Sequence, residues 1–248
     1  MYQFHVAKGL KGNRLEISGE EAHHIINVLR LKEGTVISLF DGLGHKALGT
    51  ILDTTNERVL VELMNDMAAN TEPPVEVTLY QALPKKDKLE LIIQKATELG
   101  VTSVVPIITK RTIVHIDSEK VGKKVERWNK IASEACKQSG RAYIPKISEP
   151  VSFKTMLCDI KSELNLLLYE AEAKKGLKEV LTSTQMSPIP KNIGVFIGPE
   201  GGWDKEEVEM AAAGGIIPVT LGSRILRTET AGLVVLALIL YEFGDLGR

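Results

Sequence analysis

The sequence predicts an α/β protein in which a small β-rich unit with one early helix precedes a larger unit built on a parallel sheet covered by helices on both faces. Three observations carry this. Segments rich in β-branched residues recur between turn clusters up to residue 64, and from residue 77 strand and helix patterns alternate. Between the two regimes stands Pro73-Pro74, which continues neither a helix nor a central strand. The expected division is residues 1–72 and 73–248, each long enough to bury a core.

In order along the chain, Ser18-Gly-Glu-Glu21 has the spacing of a capping box, and Ile25, Ile26, Val28 and Leu29 follow with helical placement, predicting a helix that ends near Arg30. Strands are expected at 35–40, 46–52 and 58–64, separated by Asp41-Gly-Leu-Gly44 and Asp53-Thr-Thr-Asn56. From Asn65 the chain is polar up to the proline pair. A strand at 77–83 then leads to a helix at 87–99, where Leu89, Ile92, Ile93, Ala96 and Leu99 share one face and Gly100 can cap the end. Next come a strand at 102–108, a long polar helix at 118–140 and strands at 165–170 and 193–198. A helix from Asp204, a strand at 216–221 and a closing apolar helix complete the series.

Hydrophobic residues at 44% and charged residues at 25% are globular values. The start Met1-Tyr-Gln-Phe-His5 carries no signal-peptide pattern, and the apolar run 231–241 is too short to cross a bilayer, so a cytoplasmic protein without membrane contact is expected. Cys136 and Cys158 stand far apart with no metal-ligand spacing, so no metal is expected. A formal net charge of -1 gives no global pull on polyanions, leaving nucleic-acid contact to local patches.

Two segments can carry chemistry. Gly198-Pro-Glu-Gly-Gly202 follows a buried strand and precedes a helix, the edge of a parallel sheet where ligands bind; it reads equally as an ordinary strand-to-helix turn, and it lacks dinucleotide or P-loop spacing. Leu221-Gly-Ser-Arg-Ile-Leu-Arg-Thr-Glu-Thr-Ala231 sets two arginines, a carboxylate and two threonines before an apolar helix that must be buried. Helix capping accounts for the threonines and leaves the two arginines at one strand end less well explained.

Together with Ala22-His-His-Ile-Ile-Asn-Val-Leu-Arg30, Lys95-Ala-Thr-Glu-Leu-Gly100, Glu126-Arg-Trp-Asn-Lys-Ile-Ala and Gln138-Ser-Gly-Arg141, in order, these segments resemble the ribosomal RNA small subunit methyltransferase E family. The resemblance implies a methyltransferase domain of the SPOUT superfamily with a C-terminal trefoil knot, preceded by a PUA-like RNA-binding β-barrel. It further implies a homodimer with the active site near the subunit interface, a role in rRNA processing and ribosome biogenesis, and S-adenosylmethionine-dependent methylation of N3 of one uridine in 16S ribosomal RNA, free or in the small ribosomal subunit. The matching cofactor positions are Leu168, Tyr169, Glu170, Ile197, Gly198, Glu200, Gly201, Gly202, Leu221, Gly222, Ser223, Ile225 and Leu226. Ser223 departs from the family, whose members often carry proline there.

Methylation at N3 requires loss of the N3 proton, which places negative charge on the uracil carbonyl oxygens. Arg224, Arg227 and, from the other subunit, Arg141 are candidates to stabilise it. Glu200 or Glu229 accepts the proton or orients an arginine, with neither role favoured. His23, His24, Arg30 and Lys32 cluster at one helix end, and the resemblance turns what otherwise reads as a solvated basic edge into an RNA contact. Lys85, Lys86 and Lys88, then Lys110 and Arg111, follow predicted strands and are candidates for phosphate contact. The competing readings are a SPOUT enzyme acting on transfer RNA or a ribose 2'-hydroxyl, and a noncatalytic ribosome-assembly protein.

Overall fold

The computed structural model describes residues 1–7, 9–55, 57–64, 71–172, 175–183 and 188–247. They fall into two units: Met1–Glu72 with Ser133–Ile144, and Pro73–Ala132 with Pro145–Arg248.

In the first unit, strands β1 (Gln3–His5), β2 (Arg14–Ser18), β3 (Val36–Phe40), β4 (Lys46–Thr54) and β5 (Arg58–Leu63) form one sheet in the order β1-β3-β4-β5-β2. Only the β1–β3 pairing is parallel. Alternation along β4 sends Ala47 and Ile51 inward, where Ile51 joins Phe4, Ile17, Ile37, Leu39, Val59 and Val61. A register shift between Ile51 and Asp53 bends β4 across its partner. The expected capping box does not form. Ser18 is instead the last residue of β2, paired with Arg58, and Gly19 turns the chain at φ 70 before α1 (Glu20–His23). α1 then widens into a π-helical turn, His24–Val28, which buries Ile25. Strand β1 escapes prediction because three residues carry too few alternations to register, and β2 because it ends in Ser18, read as a helix cap.

Residues 133–144 belong with the first unit, although the expected division assigned them to the second. Their attachment is specific. The Arg141 guanidinium donates to Glu72 Oε2 from Nη2 at 2.6 Å and from Nε at 3.1 Å, while Glu72 Oε1 accepts the backbone N–H groups of Ala142 (3.0 Å) and Tyr143 (3.1 Å). Gln3 Nε2 donates to Arg141 O at 2.7 Å. Cys136 is sealed against Phe40 and Ala142, and burial pushes its thiol up to about 12.

The second unit holds β6 (Glu76–Ala82), β7 (Ser103–Ile108), β8 (Lys146–Ile147), β9 (Val151–Ser152), β10 (Leu164–Leu168), β11 (Asn192–Ile197) and β12 (Ile217–Val219). They make an all-parallel sheet in the order β12-β10-β11-β6-β7-β8, with β9 also on β7. Its helices are α2 (Lys88–Leu99), most of α3 (Ser118–Ser139), α4 (Phe153–Leu157), α5 (Leu177–Leu181), α6 (Lys205–Ala213) and α7 (Thr228–Glu242). One face of the sheet presents Tyr80, Ala82, Leu167 and Phe196 to Phe153 and Met156 of α4 and Val208 and Ala211 of α6. Alternation puts Leu79, Gln81 and Ile197 on the other face, against Gly232 of α7. Burial of Val235, Leu236, Ile239 and Leu240 anchors α7, at roughly 1.5–3 kcal/mol per side chain. In the single chain Leu238 and Tyr241 of α7 face outward. α2 ends as expected at Gly100, whose φ of 112 is the left-handed cap; a side chain there would also press on Pro73. Among the described residues, no helix is long and apolar enough to cross a membrane.

Candidate functional site

The carboxyl ends of β10, β11 and β12 open onto a cavity of about 820 Å³, within the range of small-molecule sites. Three loops build it, and each is held by contacts readable at atomic level.

The loop after β11 contains Gly198 to Gly202. A side chain at Gly198 would sit 3.0 Å from the Trp203 indole, which is buried and donates from Nε1 to Leu168 O at 2.8 Å, tying this loop to the end of β10. Gly202 turns at φ 68 and donates to Pro199 O at 2.9 Å; a Cβ there would run into the Glu170 carboxylate. Gly201 faces away from the cavity, against Arg111, which donates from Nη1 to Gly201 O at 3.1 Å. The loop then enters α6 through a capping box between Asp204 and Glu207. Lys110 braces that entry. Its N–H donates to Glu207 Oε1 at 2.8 Å and its ammonium to Asp204 at 3.1 Å and Glu206 at 2.8 Å.

The loop after β12 turns at Gly222, φ 110. Among the described residues, the backbone N–H groups of Ser223, Arg224, Ile225 and Leu226 donate to nothing else in the chain, so the segment offers donors along the cavity wall. Arg227 occupies the N-cap position of α7 without a side-chain cap. The next residue, Thr228, is buried; its hydroxyl donates to Gly198 O at 2.6 Å and accepts from Gln81 Nε2 at 2.9 Å. One hydroxyl thus joins the head of α7, the loop after β11 and the central strand β6.

Lys88, the first residue of α2, lines the cavity and contacts two carboxylates, Glu200 Oε1 at 3.3 Å and Glu229 Oε2 at 3.1 Å. Glu200 Oε1 also accepts the Lys85 backbone N–H at 3.1 Å. Partial burial pushes both carboxyls up, but in each case backbone N–H groups and the Lys88 ammonium outweigh it and hold the group below the usual glutamate range. Glu229 also feels Arg227. Lys88 is raised in turn, first by its bond to Glu229.

All the expected cofactor positions except Gly201 line the cavity, as do Arg224 and Arg227. Arg141 does not. It lies in the first unit, 4% exposed, with its guanidinium on Glu72, where a structural pair accounts for it. In that unit His23 and Lys32 are exposed, Arg30 stands at a left-handed φ of 52, and His24 is half-buried edge-on to Phe4 at 6.0 Å. Lys110 and Arg111 are already engaged with the α6 entry and Gly201, so bracing this loop is their visible work. Reasoning from sequence missed the roles of Lys88, Thr228, Gln81 and Trp203. The available signals were a glutamine in an otherwise apolar strand and a tryptophan directly after Gly-Gly. Among the described residues, no cluster of His, Cys, Asp and Glu could hold a metal ion.

Comparison with known proteins gives a consistent picture. The model of the RNA methyltransferase domain family matches residues 71–240, and that of the RNA methyltransferase PUA domain matches 17–64. Ribosomal RNA small subunit methyltransferase E of Bacillus subtilis (strain 168) is 38% identical over 229 residues, covering 91% of this chain and 89% of that protein. The protein of the same name from Synechocystis sp. is 34% identical, covering 88% and 70%. The crystal structure of the Neisseria gonorrhoeae ribosomal RNA small subunit methyltransferase E bound to S-adenosyl methionine superposes with a TM-score of 0.89 at 32% identity, covering 99% of each chain.

Proposed function

This chain belongs to the ribosomal RNA small subunit methyltransferase E family, and from that membership we propose that it methylates 16S ribosomal RNA at N3 of one uridine with S-adenosylmethionine as donor. The observation that carries the reading is the cavity at three parallel strand ends, walled by the glycine loop and by the backbone donors of residues 223–226, which have no partner among the described residues. The residues fit the cofactor: the cradle needs glycine at 198 and 202, and its volume suits a nucleoside-sized ligand.

When bound, S-adenosylmethionine supplies an electrophilic methyl group on a sulfonium. The chain's part is alignment and charge. The loops after β10, β11 and β12 hold the donor and exclude water on one side, so that orientation supplies much of the acceleration. In the reaction the methyl–sulfur bond would break as the N3–methyl bond forms, its electron pair staying on sulfur, and the N3 proton would pass to Glu200 or Glu229, both ionised at neutral pH. Arg224 and Arg227 stabilise the negative charge on the uracil carbonyl oxygens as that proton leaves. Arg141 has no place in this scheme, being committed to Glu72.

Substrate RNA contacts His23, Arg30 and Lys32 of the PUA-like unit, with Lys85 as a further phosphate contact; the cytoplasm, where the small ribosomal subunit is made, is the place of action. A second copy of the chain covers the outward residues Leu238 and Tyr241 of α7, and the C-terminal segment carrying α7 is threaded as a trefoil knot. The deciding experiment combines purified protein, methyl-labelled S-adenosylmethionine and 16S RNA or small subunits from a strain lacking the gene, followed by nucleoside mass spectrometry. Labelled 3-methyluridine is expected; label in another nucleoside overturns the assigned position.

A further inference from the structure

Lys88 sits where helix energetics disfavour it. It is the first residue of α2, at the positive end of the helix macrodipole, where a cation is destabilising, and the preceding Asp87 makes no side-chain cap that would offset it. Its side chain is 28% exposed, leans into the cavity and is shared between Glu200, on the loop after β11, and Glu229, in the first turn of α7. These elements come from three distant parts of the chain.

We propose that Lys88 is a positioning residue of the methyl-transfer site, whose ammonium bridges Glu200 and Glu229 and so ties the ligand loop to the head of α7 beside Arg227. The inference rests on the methyltransferase reading and deepens it. Two carboxylates that share one cation at 3.3 and 3.1 Å repel each other once the cation is removed. The other charged groups at the site are Arg224 and Arg227 on the loop after β12, Glu170 and Glu172 on the loop after β10, and Lys85, Lys86 and Asp87 at the start of α2. Of these, Arg227 acts on Glu229, and Lys85 reaches Glu200 through its backbone N–H. Neither spans both carboxylates. Loss of Lys88 therefore raises the pH at which one of the two carboxylates takes up a proton and lets the two loops part, so that base and Arg227 are no longer held together.

The test uses the full-length protein as wild type, Lys88→Met and Lys88→Arg, with Lys88→Gln should the methionine variant melt early. Turnover on small ribosomal subunits is followed against pH, cofactor affinity by calorimetry, and glutamate ionisation by carbon NMR of the side-chain carboxyls. In Lys88→Met, kcat at neutral pH is expected to fall about tenfold or more with a smaller change in cofactor Kd, and the acid limb of the kcat profile to move up by about one unit. Lys88→Arg restores both. An unmoved acid limb in Lys88→Met, or a Lys88→Arg variant as impaired as Lys88→Met, overturns the proposal. If the wild type transfers no methyl group to ribosomal RNA, the functional reading fails. The NMR titration then still decides the bridge: an upward-shifted glutamate in Lys88→Met supports it, and unchanged titration refutes it.

Discussion

Replacing Thr228 by valine keeps the shape of the side chain and removes its hydroxyl, which isolates what one hydrogen-bonding atom does at the head of α7. That atom donates to Gly198 O at 2.6 Å and accepts from Gln81 Nε2 at 2.9 Å. Gln81 is fully buried, its Oε1 already has no partner among the described residues, and its remaining bond is to Ala82 O at 3.1 Å. The valine strands one buried N–H outright, a cost of about 1–3 kcal/mol, and removes about 1 kcal/mol more at Gly198 O, which is half-buried and recovers part of its loss through water. A total of about 2–4 kcal/mol corresponds to a melting temperature lower by roughly 4–16 °C for a chain of this size. Thermal melts followed by circular dichroism measure it, with Thr228→Ser, which keeps the hydroxyl, as the control expected to lose less than about 1 kcal/mol. Cofactor affinity should weaken in parallel, because the carbonyl released belongs to the ligand loop. A valine variant that melts with the wild type would refute the view that this hydroxyl holds the loop.

Other substitutions separate other roles. Gly202→Ala meets both a left-handed φ of 68 and the Glu170 carboxylate, so it should weaken cofactor binding by about tenfold or more in calorimetry, whereas Gly201→Ala, with only van der Waals neighbours at 3.5 Å or beyond, should bind within about threefold of wild type. Arg227→Ala should bind cofactor normally and lose most single-turnover methylation. Arg141→Met should cost about 3–5 kcal/mol in urea unfolding by leaving the Glu72 carboxylate without its cation. Glu200 and Glu229 are held below their ordinary value of 4.5, so their contribution to stability is present above that value and is lost as pH falls through the lower folded values; Glu200→Gln should flatten the acid side of the stability profile. Reversal of charge at Arg30 and Lys32 should weaken RNA binding and reduce its salt slope by about 0.7–0.9 for each phosphate that is no longer neutralised.

Long periodic elements were legible in the sequence. The apolar face of α2 with its Gly100 cap, strands β3, β4 and β5 of the first sheet and the strand ends that carry the glycine loop all follow from local pattern. The lining of the cavity was legible residue by residue because the resemblance supplied it, while spacing alone reached only as far as a turn at a strand end. What escaped was long-range. The spacing Ser18 to Glu21 matches a capping box, but pairing of Ser18 with Arg58, distant in sequence, took that serine into a strand. Arg141 stands in a family-like motif and reads as chemistry until Glu72, 69 residues away in sequence, is found against it. Gly201 and Gly202 are indistinguishable as letters and face opposite sides of one loop. Lys88 reads in sequence as one of three lysines available to phosphate, because nothing local announces two carboxylates more than a hundred residues downstream.

The parallel order of the second sheet also bears on how the molecule is made. In its centre β6 lies against β11, with Glu76 opposite Asn192, a separation of 116 residues. On a ribosome, β6 can pair with β7 soon after both emerge, yet its other edge stays bare until β11 has been synthesised, a wait of roughly 6–23 s at ordinary elongation rates. For that interval the nascent chain exposes an apolar edge strand of the kind that recruits chaperones. The cavity, whose walls come from β10, β11 and the segment leading into α7, is complete only once that late segment has been made.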